Sequence, residues 1–196
     1  MNIPIFPLNT VLFPGGLLPL RVFEARYMDM TRDCLKQDRP FGVCLIREGA
    51  EVGAPAVPEA VGCLARITDW DMQQQGILAL KTHGGQRFRI ATRSADGQGL
   101  ISAKVDLIDP EPPAPIPAQY GACAKLLQMV VADQGKEIFA EPLAFDDAAW
   151  VGYRLAEILP VPLVAKQKLL ELTDSLQRLV ILQRFLEQRG LAQKDD

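Results

Sequence analysis

The side chains best suited to chemistry are thinly spread along this chain. His83 is the only histidine, so any mechanism needing an imidazole must use it. Its setting, His83-Gly84-Gly85, reads as a hairpin tip, where a base is solvated and poorly held. A phosphate-binding G-x-x-x-x-G-K-[ST] loop needs glycine at both ends so that backbone N–H groups converge on the anion. The nearest approach is Gly135-Lys136, but Val130 and Glu137 stand where glycine and a hydroxyl residue belong. No G-x-S-x-G elbow occurs, and Ser94, Ser102 and Ser175 sit in strand, turn or cap contexts. Asp69 and Asp71 flank Trp70 where a strand runs into a loop. Asp146-Asp147 begins a helix, where acids suit the dipole, and Glu111 and Glu141 are isolated. Cys34, Cys44, Cys63 and Cys123 lack the close pairing that lets one turn aim two ligands at zinc. Cys44 and Cys63 lie in apolar runs and read as buried thiols. The expectation is no catalytic residue, no metal and no cofactor.

The elements that would position any site follow from length and patterning. A chain of 196 residues, 48% apolar and 23% charged, can bury a sizeable core as an ordinary soluble domain. The net charge of −3, with cations interspersed among acids, gives no field for phosphate backbones, so nucleic acid is disfavoured. The apolar N-terminus has no basic segment before Arg21, and prolines at 4, 7, 14 and 19 break any signal or spanning helix. No membrane association is expected. Reduced thiols fit a cytoplasmic location.

The texture changes at Asp109-Pro-Glu-Pro-Pro-Ala-Pro-Ile-Pro117, whose five prolines predict a stiff extended connector. Residues 1–109 are expected to form a barrel-like unit, 110–117 a linker and 118–196 a helical unit packed on the barrel. Before the linker, extended runs are expected at Ile3–Leu8, Leu17–Leu20, Phe41–Arg47, Gly62–Thr68, Ile77–Thr82, Gln86–Arg93 and Leu100–Ile108. The prolines of the first two runs suggest edges or strand ends. Phe13-Pro-Gly-Gly16 is a tight turn, and one helix over about Glu24–Gln37 places Phe23, Tyr27, Met30, Thr31, Cys34 and Leu35 on one face. After the linker, helical spacing is expected around Tyr120–Val131, from Asp146 or Asp147 through Leu159, over Leu163–Leu172, and from Thr173 or Asp174 to Gly190. Val151, Leu155 and Ile158 face inward in the second of these helices, and Leu176, Leu179, Leu182, Phe185 and Leu186 in the last.

Several separate motifs resemble the N-terminal, substrate-binding domain of Lon proteases, in that family's order and over essentially the whole chain. They are the opening I-P-I-F-P-L-N-T-V-L-F-P-G-G-L-L-P-L-R-V-F-E-A-R-Y of residues 3–27; V-G-C-L-A-R-I at 61–67, with Cys63 where threonine is usual; G-Q-R-F-R-I at 85–90; A-K-V-D at 103–106; and L-P-V-P-L-V-A-K-Q-K-L-L-E-L at 159–172. The resemblance implies an α+β fold: a PUA-like β pseudo-barrel with one inserted helix, followed by a bundle of about four helices. It also implies recognition of unfolded or tagged polypeptides, with ATP hydrolysis and Ser-Lys proteolysis in later domains that this chain ends before. Pro14, Gly15, Arg21, Phe23, Glu24, Arg26 and Tyr27 then read chiefly as fold determinants: a turn, a core anchor, a helix start and ion pairs across the strand–helix junction.

The functional expectation is a non-catalytic polypeptide-binding module, using an apolar groove between barrel and helices or an exposed strand edge. Trp70 and Phe13 are the candidate peptide contacts, since aromatic rings offer large area at little entropy cost. The leading alternative is docking on one specific protein partner or on a second copy. RNA binding through Arg87, Arg89 and Arg93 is a weaker third reading.

Overall fold

A computed structural model describes residues 1–191, in two compact units, Met1–Asp109 and Pro110 onward. The first unit contains strands β1 (Asn2–Leu8), β2 (Leu17–Val22), β3 (Phe41–Glu48), β4 (Val57–Pro58), β5 (Val61–Gln74), β6 (Ile77–Ala95) and β7 (Ile101–Leu107), with helix α1 (Ala25–Lys36) after β2. Strand order runs β1-β7-β6-β5-β3-β4, and a parallel β1–β3 pairing closes the first five into a ring. β1 manages this by pairing Asn2–Ile5 with β7 and Ile5–Leu8 with β3. Its prolines suggest edges or strand ends; both lie in a strand of the ring, Pro7 next to its end, and the split pairing leaves each one a flank without a ladder.

The ring is narrow, and its interior shows why two glycines stand where they do. Phe88 fills it with Ile3, Ile5, Cys44, Ile101, Ala103 and Val105. A Cβ on Gly42 would lie 2.6 Å from the tip of Phe88, and one on Gly62 would lie 2.7 Å from it. Outside the ring a second core joins β2, α1 and the outward faces of β1, β3, β5 and β6. There Tyr27 stacks on Phe6 with ring centroids 4.0 Å apart.

Two expected elements differ in this unit. His83-Gly-Gly85 is not a hairpin tip: β6 runs unbroken through it, and the β5–β6 hairpin turns at Gln75-Gly76, where Gly76 has φ +82°. β5 likewise continues past Thr68 to Gln74, so Asp69, Trp70 and Asp71 are strand residues rather than a loop. Two aspartates disfavour that reading on propensity alone, but cross-strand pairing with β6 supplies what propensity lacks.

The second unit contains α2 (Gly121–Gln134), α3 (Ala148–Ile158), α4 (Leu163–Glu171) and α5 (Ser175–Gln188). Of the alternative caps, Asp147 accepts from the Trp150 N–H at 2.9 Å, and Asp174 accepts from Leu176 and Gln177 at 2.9 and 3.0 Å. Trp150 packs edge-on between Phe139 and Phe145. Ile158 and Leu176, expected inward, are 37% and 38% exposed because they fall at the helix ends, beyond the packed turns.

Glu111, which looks isolated in sequence, is the centre of a buried ion pair. Arg178 of α5 grips it with two guanidinium nitrogens at 2.6 and 2.9 Å and donates also to the carbonyls of Leu169 and Leu172. The Tyr153 hydroxyl donates to the same carboxylate, and its ring lies 4.1 Å under the Arg178 guanidinium. Partners this complete are what make a fully buried charge tolerable.

Between α3 and α4, burial pushes the Glu157 carboxyl up to about 7, against Arg154 and Lys166, which pull it down. Arg154 donates to this carboxylate at 2.8 Å. A carboxyl that holds its proton more tightly folded than unfolded stabilises the fold at low pH and withdraws that contribution as pH rises through its folded value. Resistance to urea should therefore fall from about pH 4.5 to about 7, by on the order of 2 kcal/mol. Glu157→Gln should flatten that slope in urea melts followed by circular dichroism. A variant as steeply pH-dependent as the wild type would contradict the assignment.

Candidate functional site

The site begins at the Phe13-Pro-Gly-Gly16 turn. Gly84 has no Cβ, so β6 lets this turn lie directly on its backbone; a Cβ there would run into the Phe13 carbonyl. The Gly15 N–H donates to the Gly84 carbonyl and the Gly84 N–H to the Gly16 carbonyl, each at 2.8 Å. Gly15, at φ +74°, takes a left-handed conformation that its type permits. The turn hands the chain to β2, which pairs along Leu17–Val22 with His83–Leu78 of β6. Its other edge pairs with no strand among the described residues.

Two hollows flank β2. One, of about 310 Å³, is floored by Phe6, Leu8 and Tyr27 and rimmed by Phe23, Glu51 and Val52. The other, of about 500 Å³, lies across the three strands β2, β6 and β5. Its solvent-facing rows are Pro19–Lys81–Asp69 and Arg21–Ala79–Asp71, with the small Ala79 making the dip. The intervening row begins with buried Leu20 and Leu80 and ends with Trp70, which is 55% exposed. Arg21, Pro19 and Leu20 line both hollows. Phe23 and Val52 are each 57% exposed. Lys81, bonded to Asp69 at 2.9 Å, and the Trp70 N–H hold the Asp69 carboxyl below its ordinary range, so Asp69 stays ionised at the rim.

The family-motif residues divide sharply by burial. Phe13, expected to touch peptide, is 0% exposed, so its ring is enclosed rather than presented at the surface. Phe23, expected as a core anchor on the helical face, precedes α1 and stands in solvent because the chain is still extended there. Leu35, expected on the same face, is 38% exposed near the end of α1. Glu24 and Arg26 pair at 3.0 Å, and Arg26 also donates to the Gly99 carbonyl at 3.0 Å and lies 4.7 Å over the Tyr27 ring. Arg26 and Tyr27 thus fasten the β6–β7 connection and the Phe6 stack. Arg21 is exposed and joins no ion pair among the described residues. Of the arginine stripe, Arg87 is buried, which leaves Arg89 and Arg93 without a continuous cationic track. All four cysteines are buried and none forms a disulfide among the described residues.

The second unit carries a further hollow of about 520 Å³ between α4 and α5, lined by Val161, Leu169, Leu172, Ile181 and Phe185. Its charged members Lys168 and Glu171 pair with each other at 2.9 Å. Phe185, expected inward, forms part of its wall.

With this architecture in place, the chain belongs to the substrate-binding domain family of the ATP-dependent protease La (LON), whose model it matches over residues 2–188. It is similar to the crystal structure of a Lon N-terminal domain protein from Xanthomonas campestris, at 36% identity and a TM-score of 0.80, covering 94% of this chain and 98% of that one. It is 26% identical to Lon protease 2 of Myxococcus xanthus over 95% of this chain and 24% of that protein. It is also 31% identical to the protein cereblon of Danio rerio over 55% of this chain and 25% of that protein. The chain thus spans about a quarter of the length of these curated relatives. No helix among the described residues is long and apolar enough to cross a membrane.

The two phenylalanines should behave oppositely in thermal and urea melts. Phe13→Ala should cost about 3–5 kcal/mol of stability, whereas Phe23→Ala should change it by no more than about 0.5 kcal/mol. Equal losses would contradict the assignment of one to the core and the other to the surface.

Proposed function

We propose that this protein binds extended, unfolded polypeptide segments along β2 and performs no chemistry on them. The observation that carries this reading is the exposure of two aromatic side chains near β2, Phe23 at the smaller hollow and Trp70 on the sheet face opposite the Asp69–Lys81 row, beside a strand whose outer edge pairs with no strand among the described residues. Large rigid rings beside shallow apolar floors suit side chains of varied sequence, because area rather than directional bonding supplies the affinity. Membership of a substrate-binding family supports it. Four buried thiols in no disulfide among the described residues accord with a reducing, cytoplasmic setting.

Binding of a fluorescent, reduced and alkylated model polypeptide, followed by anisotropy, tests the proposal. Phe23→Ala and Trp70→Ala should each weaken binding about tenfold, in keeping with the loss of an aromatic anchor, and affinity should depend little on salt. Unchanged affinity in both variants would remove β2 from the account. Affinity that collapses with added salt would point instead to nucleic acid. Failure to bind the model polypeptide, with one stoichiometric protein or a second copy bound instead, would make the chain a docking subunit.

A further inference from the structure

The family-like segment L-P-L-R places a proline in the middle of the very edge that the proposed function uses, and the hydrogen-bond phase shows which way it faces. The Gly84 N–H donates to the Gly16 carbonyl and the Thr82 hydroxyl to the Leu18 carbonyl, each at 2.8 Å, so these even-numbered residues face one another across the strands in the register that continues as 20 with 80 and 22 with 78. Backbone groups alternate sides along an antiparallel strand. Leu18, Leu20 and Val22 therefore point theirs at β6, while Leu17, Pro19 and Arg21 point theirs outward. A second contact agrees: the Thr68 hydroxyl donates to the Lys81 carbonyl at 3.1 Å, so the residue opposite Pro19 faces β5 and not β2. The outer edge of β2 thus offers three carbonyls, at 17, 19 and 21, but only two N–H donors, at 17 and 21.

We infer that Pro19 sets how the β2 edge engages an extended chain, allowing backbone pairing at its two ends and denying it at the centre. This rests on the polypeptide-binding reading and adds the residue that limits it. An incoming segment meets donors and acceptors at Leu17 and Arg21, but its carbonyl opposite Pro19 finds no donor. Side chains can still enter both hollows, so recognition remains tolerant of sequence and readily reversible. The same gap protects an otherwise open edge, with exposed Leu17 at its start, from pairing with the β2 of a second copy.

Two substitutions test this in opposite directions. Pro19→Ala restores the central donor and should tighten binding of the same labelled polypeptide roughly three- to tenfold, the worth of one net backbone hydrogen bond. It should also yield dimer at high protein concentration in light scattering. Leu17→Pro removes an outward donor without touching the β6 ladder, and should weaken binding by a similar factor. If Phe23→Ala and Trp70→Ala lose affinity while Pro19→Ala and Leu17→Pro leave it unchanged, the inference about Pro19 falls and the binding site stands. If none of the four variants alters affinity, the site itself is wrong. Should Pro19→Ala fail to fold, the Leu17→Pro result decides: weaker binding upholds the inference, and wild-type binding overturns it.

Discussion

The first unit depends on the direct approach of two backbones at Gly84. Only a residue without a Cβ lets the Phe13 carbonyl lie against β6 there, and the paired bonds to Gly15 and Gly16 lock that approach. Everything at the site inherits its phase from this contact. It sets β2 into register with β6, buries Leu20 and Val22 against α1, and turns Pro19 and Arg21 to solvent. Shifting the register by one residue would exchange those two sets of side chains between core and solvent.

Much of this was legible in the sequence. The family motifs, the change of texture at the proline run, the single early helix and the alternation of Gln86-Arg-Phe-Arg-Ile90 all correspond to observed elements. Glycine carries two meanings here. In His83-Gly-Gly85 it suggests a turn, yet it marks a close approach inside a long strand. Local sequence does not distinguish these two uses, since the partner backbone lies some seventy residues away in the chain. The same limit hid the reach of β5, whose aspartates look like loop residues until β6 is laid beside them.

Side-chain roles were less legible than elements. Phe13 and Phe23 flank β2 in similar motif contexts, and one is buried while the other is bare. Helical spacing put Phe23 on the buried face of α1, but the helix starts two residues later. Glu111 sits in a proline run with no basic residue beside it in sequence, yet it meets Arg178 across 67 positions. Its carboxylate, the Arg178 guanidinium and the Tyr153 hydroxyl satisfy one another in a buried setting, a long-range pairing that no periodicity announces.

The central claim is that β2 and its two hollows receive extended polypeptide. The most direct measurement is an amide-resolved NMR titration of the protein with an unfolded polypeptide. The account predicts saturable shifts at Leu17, Arg21, Phe23 and Val52 and at the Trp70 indole N–H, with the ring interior around Phe88 unmoved. Shifts confined to the α4–α5 hollow, or none at saturating polypeptide, would contradict it.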